Sequence, residues 1–146
     1  MIQILDNFAN YRFTYYPTAT QKIIDTYNNM YKEYLDLGYI HIPGGEEVDG
    51  AILLEDEIDI IGGIFYSLTR SPSCLFIMLA FVKDNFRGNG IYKKFHQLIT
   101  PIAFENNKGG IISLVDMSNK LMLETTGKSV GYVPIMQLFY KKLNQG

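Results

Sequence analysis

The 146-residue chain has few of the residues that build disulfides and metal sites. It contains one cysteine, Cys74, so no internal disulfide can form, and we expect a reducing, cytoplasmic compartment. Its two histidines, His41 and His96, lie far apart in sequence, and no Cys-x-x-Cys pair is present. A zinc site needs more ligands than these. We therefore expect neither a disulfide framework nor a bound metal.

Long apolar runs and an excess of positive charge are also lacking. The longest apolar run, Cys74–Val82, is too short to span a bilayer. The residues around Asp6 show no basic stretch followed by an apolar segment, so we expect no signal peptide and no membrane association. The formal net charge is −2, and the lysines and arginines are scattered. A nucleic-acid partner is not expected, because its backbone requires a basic surface.

The composition that remains is that of a folded globular protein. Hydrophobic residues make up 47% of the chain and charged residues 19%, which excludes a disordered chain. The length is enough to bury one sizeable core. No repeat, low-complexity tract or linker divides the sequence. We therefore expect one domain over residues 1–146.

Apolar periodicity predicts the element order β-α-β-β-β-loop-α-β-α-β. The predicted elements are a strand at 13–16, a helix at about 18–38, a loop at 40–49, strands at 51–55 and 58–69, a strand over Cys74–Val82, a loop at 83–90, a helix from 91, a strand at 111–115, a helix at 118–126 and a strand at 133–143. One helical crossover joins Cys74–Val82 to 111–115, which predicts that these two strands are parallel. The fold class is therefore α/β (α+β), with a mixed, mostly antiparallel sheet covered by helices on both faces.

Three local signals sharpen this prediction. Thr18 and Gln21 have capping-box spacing at the start of the first helix, and Gly38 is a plausible stop. Gly62-Gly63 indicates a bulge or a close backbone approach. Pro101 lies inside the second helical pattern and is expected to kink or end that helix.

The loop at 83–90 carries the clearest chemical signal. Gly88 and Gly90 lie between a buried strand and a helix start, where backbone N–H groups are unpaired and the helix dipole is positive. Such a junction binds anions, phosphate above all, and glycine lets the backbone approach the ligand. The surrounding positive residues are Lys83, Arg87, Lys93 and Lys94. A plain tight turn is the alternative interpretation.

Two other phosphate motifs are excluded by the residues themselves. A Walker A loop ends in Gly-Lys-Ser/Thr, whereas Gly90 is followed by Ile91 and Tyr92. A dinucleotide fingerprint needs a third glycine at the position that Lys93 occupies.

The segment at 82–92 resembles the acetyl-CoA-binding motif of GCN5-related N-acetyltransferases, the GNAT family. The family pattern Gln/Arg-x-x-Gly-x-Gly/Ala falls on Asn85-Phe86-Arg87-Gly88-Asn89-Gly90, with Asn85 departing from it at the first position. Asn119 matches a family asparagine that often touches the cofactor. Gly131-Tyr132 resembles the Gly-Phe/Tyr before the family's last strand, and Tyr140-Lys141-Lys142-Leu143 resembles its ending. The resemblance covers roughly residues 53–143 in element order.

The resemblance implies a single-domain GNAT-like fold in which the parallel strand pair splays apart. It implies acetyl transfer from acetyl-CoA to an amine by direct attack. The cofactor-binding residues that it implies are Phe81, Val82, Arg87, Gly88, Asn89, Gly90, Ile91, Tyr92 and Asn119. A backbone N–H near Ala80 would polarise the thioester carbonyl.

The catalytic acid and base are less clear from the sequence. Asp116, after the strand at 111–115, is the best base candidate, although a helix-start acceptor is the plainer interpretation. The family's tyrosine acid is missing near Thr126-Gly127, and Tyr132 and Tyr140 replace it in type only. In the acceptor loop Glu46 and Glu47 either steer a cationic substrate or are solvated. His96 is expected at a helix edge, and Cys74 as a small core hydrophobe.

Two further functions stay open. The absent tyrosine favours a non-catalytic acyl-CoA-binding or structural module that keeps the fold, and a third alternative is an α/β domain that binds no CoA. For an enzyme, the acceptor is a small-molecule or peptide amine. The oligomeric state is open, with a homodimer as one option.

Overall fold

The structure, a computed structural model, describes residues 1–39, 47–114 and 131–132. Its elements are β1 (Gln3–Phe8), β2 (Tyr11–Tyr16), α1 (Gln21–Asp36), β3 (Gly50–Glu55), β4 (Ile60–Ser67), β5 (Cys74–Val82), α2 (Ile91–Glu105) and β6 (Gly110–Ser113). A short 3-10 helix, Asp84–Phe86, lies between β5 and α2. The predicted helix at 118–126 and strand at 133–143 fall outside the described residues.

The strands form one sheet in the order β1-β2-β3-β4-β5-β6. Each neighbouring pair is antiparallel except β5 and β6, which are parallel from Cys74 opposite Gly110 to Ile77 opposite Ser113. One buried cluster joins α2 to one face of the sheet, and a second joins α1 to the other face. The predicted mixed, mostly antiparallel sheet with helices on both faces is therefore confirmed. Within the described residues, no helix is both long and apolar enough to cross a membrane.

The edge strand β1 was not predicted from the sequence. It pairs with β2, and the register shifts between Ile4, opposite Thr14, and Asp6, opposite Phe13. Cross-strand partners point to the same face of a sheet. The shift therefore places Asp6 on the face of Phe13, which packs edge-on against Phe95 of α2 at 5.3 Å between ring centroids.

The start of α1 differs from the prediction, and its end confirms it. The helix begins after Thr20, whose side chain makes no capping hydrogen bond. The Gln21 amide instead donates to Asp25 at 2.8 Å, one turn further on, so the capping-box prediction was wrong. Gly38 follows the last turn with a φ of +91° and donates its N–H to Leu35 at 2.9 Å. This is the left-handed stop that glycine favours.

Pro101, which was expected to kink or end α2, does not end it, because the helix continues to Glu105. A proline removes the hydrogen bond to the carbonyl four residues earlier, here that of Gln97. Pro101 and Gln97 are both exposed, so water can reach this carbonyl. Water can therefore replace the lost hydrogen bond at this position.

The glycine pair of β4 is a site of close approach, as predicted. A Cβ on Gly62 would lie 3.1 Å from the carbonyl oxygen of Phe81 and 3.2 Å from the ring of Phe95. The register shift of β4 against β3 lies next to the pair, at Ile61. Glycine here lets β4 pack tightly against β5 and α2.

Candidate functional site

The two halves of β5 have different neighbours. From Cys74 to Ile77 the strand is paired with β6, and from Phe76 onward it is also paired with β4 on its other side. At 79–82 it stays paired with β4, while no strand among the described residues pairs with its other side. This pattern fits the predicted splay of the parallel pair.

A β-bulge at Met78 marks the boundary between these halves. Leu79 lies opposite Phe65 and Ile77 opposite Tyr66, so Met78 is one residue more than β4 can pair. Ile77 belongs to the cluster under α2, whereas Leu79 belongs to the cluster under α1. A bulge re-aims the residues that follow it and is common beside active sites. The sequence could not reveal it, because every residue of the strand from Cys74 to Val82 is apolar.

The loop after β5 presents backbone N–H groups at the start of α2. Gly88 and Gly90 have φ angles of +82° and +75°, and a Cβ on either would meet no atom within 4 Å. The first helical hydrogen bond of α2 runs from Lys94 N–H to Gly90 O at 3.0 Å, and no side chain caps the helix. For the N–H groups of residues 88–91, the described part of the chain supplies no acceptor. Together with the helix dipole they form a cradle for an anion.

The side chains of this loop hold its shape. Arg87 donates from Nε to Val82 O at 2.9 Å and from a terminal nitrogen to Asp84 at 3.2 Å. Its guanidinium lies 5.5 Å from the ring centroid of Phe81. Asn89 donates its amide to Phe86 O at 3.0 Å. Arg87 therefore fixes the loop to the end of β5, Asn89 stabilises the loop itself, and direct contact with a ligand stays a prediction for both.

The positive residues around the loop are not equivalent. Lys94 forms an ion pair with Asp6 of β1, with Nζ 2.5 Å from Oδ2. The hydrogen bond from Lys94 lowers the pKa of Asp6. Lys83 and Lys93 are exposed, and neither has an ion-pair partner among the residues that the structure describes. One of the positive residues that surround the predicted phosphate site, Lys94, is thus already paired with a carboxylate.

His96 is buried, which corrects the prediction of a helix-edge residue. Its side chain is 1% exposed, and Nδ1 lies 2.8 Å from the hydroxyl of Tyr132. Burial lowers the pKa of His96 to about 4, and burial followed by the proximity of Tyr92 raises the pKa of Tyr132. Both groups are therefore neutral at pH 7, and the imidazole tautomer decides which of the two donates in this hydrogen bond. Nε2 has no hydrogen-bond partner among the described residues.

On the α1 side of β5, Glu47 is paired rather than solvated. Its Oε2 lies 3.3 Å from Nε of Arg70. The contact lacks hydrogen-bond geometry, because that oxygen accepts no hydrogen bond. Arg70 also lies 5.0 Å above the ring of Phe76 and 3.6 Å from the sulfur of Met78.

Several predicted site residues lie outside the described residues, namely Glu46, Asp116, Asn119, Thr126, Gly127 and Tyr140. Among the described ones, Phe81 and Val82 are buried at the end of β5. Tyr92 is half-buried against His96, with ring centroids 4.4 Å apart. The sequence contained no signal for the contacts between His96 and Tyr132 or between Asp6 and Lys94, because each joins segments far apart in the chain.

No family model matches the sequence. Among curated proteins, too, no sequence matches it. Solved structures do match. The aminoglycoside N-acetyltransferase AAC(6')-Iy in complex with CoA superposes with a TM-score of 0.64 at 13% identity, over 99% of each chain. A ribosomal-protein-alanine N-acetyltransferase from Brucella melitensis biovar Abortus 2308 gives 0.63 at 9% identity, over 97% of this chain and 98% of that one.

This chain has the GNAT fold. A third structure with this fold is an aminoglycoside acetyltransferase from an uncultured soil metagenomic sample in complex with sisomicin. It gives a TM-score of 0.61 at 16% identity, over 99% of this chain and 96% of that one. At such identities the likeness establishes the GNAT fold, and the chemistry must be argued from this chain's own residues.

Proposed function

We propose that this protein transfers an acetyl group from acetyl-CoA to an amine. The observation that carries the proposal is the anion cradle at residues 88–91, which follows the half-paired end of β5 in a GNAT fold. Two of the matching structures, in their printed descriptions, are complexes with CoA or a CoA-based bisubstrate analogue. CoA carries a pyrophosphate, which is the anion that such a cradle accommodates.

The residues that would hold the donor follow one line along the molecule. The N–H groups at the start of α2 would bind the pyrophosphate, with residues 87–92 forming the surrounding surface. The two amides of pantetheine would dock along β5 like an added strand, at the backbone of Phe81 and Val82. Asn119, outside the described residues, is a further proposed contact.

Acetyl-CoA supplies an acetyl group activated as a thioester. The acceptor nitrogen forms the new C–N bond as the C–S bond breaks, the ammonium proton passes to a base, and the departing thiolate takes up a proton. A backbone N–H near Ala80, just past the Met78 bulge, is our proposed donor to the carbonyl oxygen. Asp116 is our proposed base, directly or through water.

Calorimetric titration tests donor binding. CoA and pantetheine share the groups that dock along β5, and only CoA carries the phosphates. We expect CoA to bind clearly more tightly than pantetheine. Equal affinities would reject the cradle as a phosphate site and favour a plain turn at 88–91.

Turnover separates the enzyme from a non-catalytic acyl-CoA-binding or structural module. The absent tyrosine near Thr126-Gly127 is the observation that favours the module, since proton transfer by a positioned group contributes roughly 10²–10⁴-fold. We expect slow thiol release from acetyl-CoA with a panel of amines, peptides and aminoglycosides, rising with pH as the amine loses its proton. CoA binding without any thiol release would favour the module.

A large fall in turnover in Asp116→Asn, with CoA affinity unchanged, would support the base role.

The proposed acceptor is a small-molecule or peptide amine. By their printed names, the matching structures include aminoglycoside acetyltransferases and a ribosomal-protein-alanine acetyltransferase. Arg70 offsets the charge of Glu47, so Glu47 does not offer an uncompensated anion to a polycation. The cytoplasmic location, the lack of a membrane or nucleic-acid partner, and a homodimer remain predictions.

A further inference from the structure

The N-terminal hairpin of β1 and β2 forms a wall beside the anion cradle. Tyr11 of β2 packs edge-on against Phe86 of the loop, with ring centroids 5.5 Å apart. The register shift of β1 turns Asp6 toward α2, where it binds Lys94. The first strand of the chain thus contacts both the loop and the first turn of the helix behind it.

Lys94 is placed to act at the cradle. Its backbone N–H makes the first helical hydrogen bond to Gly90. Side chains on a helix lean toward its N-terminus, so the Lys94 side chain is directed back toward the turn that precedes its Cα. That turn is the one that presents the open N–H groups. The Asp6 and Lys94 side chains are 41% and 37% exposed, so a bound anion can reach the lysine when Asp6 does not hold it.

CoA has two separate anionic groups. If the pyrophosphate occupies the N–H groups at 88–91, the 3′-phosphate on the adjoining ribose lies within reach of cations on the first turn of α2. Of the two lysines on that turn, Lys93 has no carboxylate partner among the described residues, whereas Lys94 is bound to Asp6.

We propose that Asp6 is a specificity-determining residue of the donor site, because it holds Lys94 in an ion pair and keeps it from the 3′-phosphate of CoA. The inference rests on the proposed function. It means that the protein discriminates only weakly between CoA and dephospho-CoA, which lacks the 3′-phosphate. It also means that a residue of the N-terminal strand, about 80 positions before the loop motif, sets this discrimination.

A double-mutant cycle measured with both ligands tests the proposal. The proteins are the wild type, Asp6→Asn, Lys94→Gln and the double variant, each titrated calorimetrically with CoA and with dephospho-CoA. An exposed charge pair is worth only a modest energy, so we expect Asp6→Asn to raise CoA affinity about three- to fivefold and dephospho-CoA affinity less than about twofold. Lys94→Gln alone should change CoA affinity less than about twofold, and Asp6→Asn should have no effect in the Lys94→Gln background.

Asp25→Asn is the matched control. Asp25 is exposed on α1, on the other face of the sheet, and accepts a hydrogen bond from Gln21 rather than from a cation. Asp25→Asn changes the net charge by the same amount as Asp6→Asn. If both variants changed CoA affinity equally, the effect would be a long-range effect of charge.

Three results would overturn the inference while CoA still binds. These are an equal gain for both ligands in Asp6→Asn, a loss of CoA affinity in that variant, and a several-fold selective loss of CoA affinity in Lys94→Gln alone. The last result would mean that Lys94 already binds the 3′-phosphate. If the wild type bound neither ligand, the proposed function would fail, and this inference with it.

Discussion

The two ends of β5 are built in opposite ways. At the amino end, Lys108 donates from Nζ to three backbone carbonyls of the β4–β5 turn, those of Leu68 at 2.7 Å, Ser71 at 3.1 Å and Pro72 at 3.2 Å. The N–H of Cys74 also finds an acceptor, the Ser71 hydroxyl at 3.2 Å. The ammonium of Lys108 thus stabilises this end of β5 by hydrogen-bonding the carbonyl oxygens of the turn.

At the carboxyl end the corresponding cation, Arg87, donates to fewer backbone carbonyls. Arg87 reaches one carbonyl of β5 and the exposed Asp84, while the N–H groups of residues 88–91 have no acceptor in the part of the chain that the structure describes. Gly88 and Gly90 hold left-handed backbone conformations with empty space where a Cβ would be. The backbone at the amino end of β5 is thus held by hydrogen bonds, whereas the N–H groups that follow its carboxyl end lack acceptors among the described residues. Functional sites are where a fold departs from full satisfaction of its polar groups.

The largest predicted effect is a loss of stability in acid from His96, behind the open end. Burial lowers the pKa of His96 from 6.5 to about 4. Between these two pH values the unfolded chain binds a proton at His96 and the folded chain does not. Stability should therefore fall as the pH drops from about 6.5 to about 4. At 1.36 kcal/mol per unit of pKa difference, the loss is about 3 kcal/mol.

Urea unfolding across this pH window checks the prediction, with His96→Leu as the comparison. The variant should have a shallower slope between pH 6.5 and pH 4. His41, the other histidine, is present in both proteins and contributes equally. The same slope in wild type and variant would mean that the pKa of His96 is the same in the folded and unfolded chains, and that burial of His96 does not lower stability in acid.

The second effect tests the closed end. Lys108→Met keeps the length of the side chain and removes the donor to three carbonyls. Hydrogen bonds to a charged donor are worth about 1.5–3 kcal/mol, so we expect a loss of about 2 kcal/mol in the free energy of unfolding. CoA affinity should stay within twofold, because Lys108 lies at the far end of β5. A matching loss of CoA affinity would mean that the two ends are coupled and would break the comparison.

The third effect tests the open end with a matched pair of glycines. Gly90→Val and Gly38→Val both place a β-branched side chain at a positive φ with open space around the Cβ. Each should strain the backbone by about 1–3 kcal/mol. Only Gly90→Val should also lower CoA affinity, on the order of tenfold, because its side chain crowds the cradle. Calorimetry and urea unfolding of both variants separate the two costs. Unchanged CoA affinity in Gly90→Val would leave the loop as a plain turn.

The sequence predicted best what one segment determines alone. The bounds of β5, the stop at Gly38 and the open loop at 88–90 follow from apolar runs and from glycine chemistry within a few residues. The sequence did not reveal that α2 continues past Pro101, because a helical pattern does not show whether the carbonyl that loses its hydrogen bond is exposed to water. The capping box failed because the Gln21 side chain had a competing partner one turn ahead.

The sequence predicted least about those parts of the site where segments distant in the chain meet. The bulge at Met78 depends on the register against β4, and an all-apolar strand has no alternation that would reveal it. The burial of His96 depends on Tyr132, and the pairing of Lys94 depends on a register shift in a strand that was not predicted at all. These are tertiary facts, so no pattern within one element contains them.

The smallest effect is expected at Arg87, and it sharpens the contrast with Lys108. Arg87→Gln removes a bond to one carbonyl and an ion pair with the exposed Asp84, and exposed pairs are worth about 0–1 kcal/mol. Arg87 donates to one carbonyl where Lys108 donates to three, so we expect a smaller loss in the free energy of unfolding than for Lys108→Met. CoA affinity should fall several-fold if the braced loop holds the cradle in shape, and pantetheine affinity should not change. A stability loss equal to that of Lys108→Met would mean that Arg87 closes β5 just as Lys108 does, and that the carboxyl end is not open.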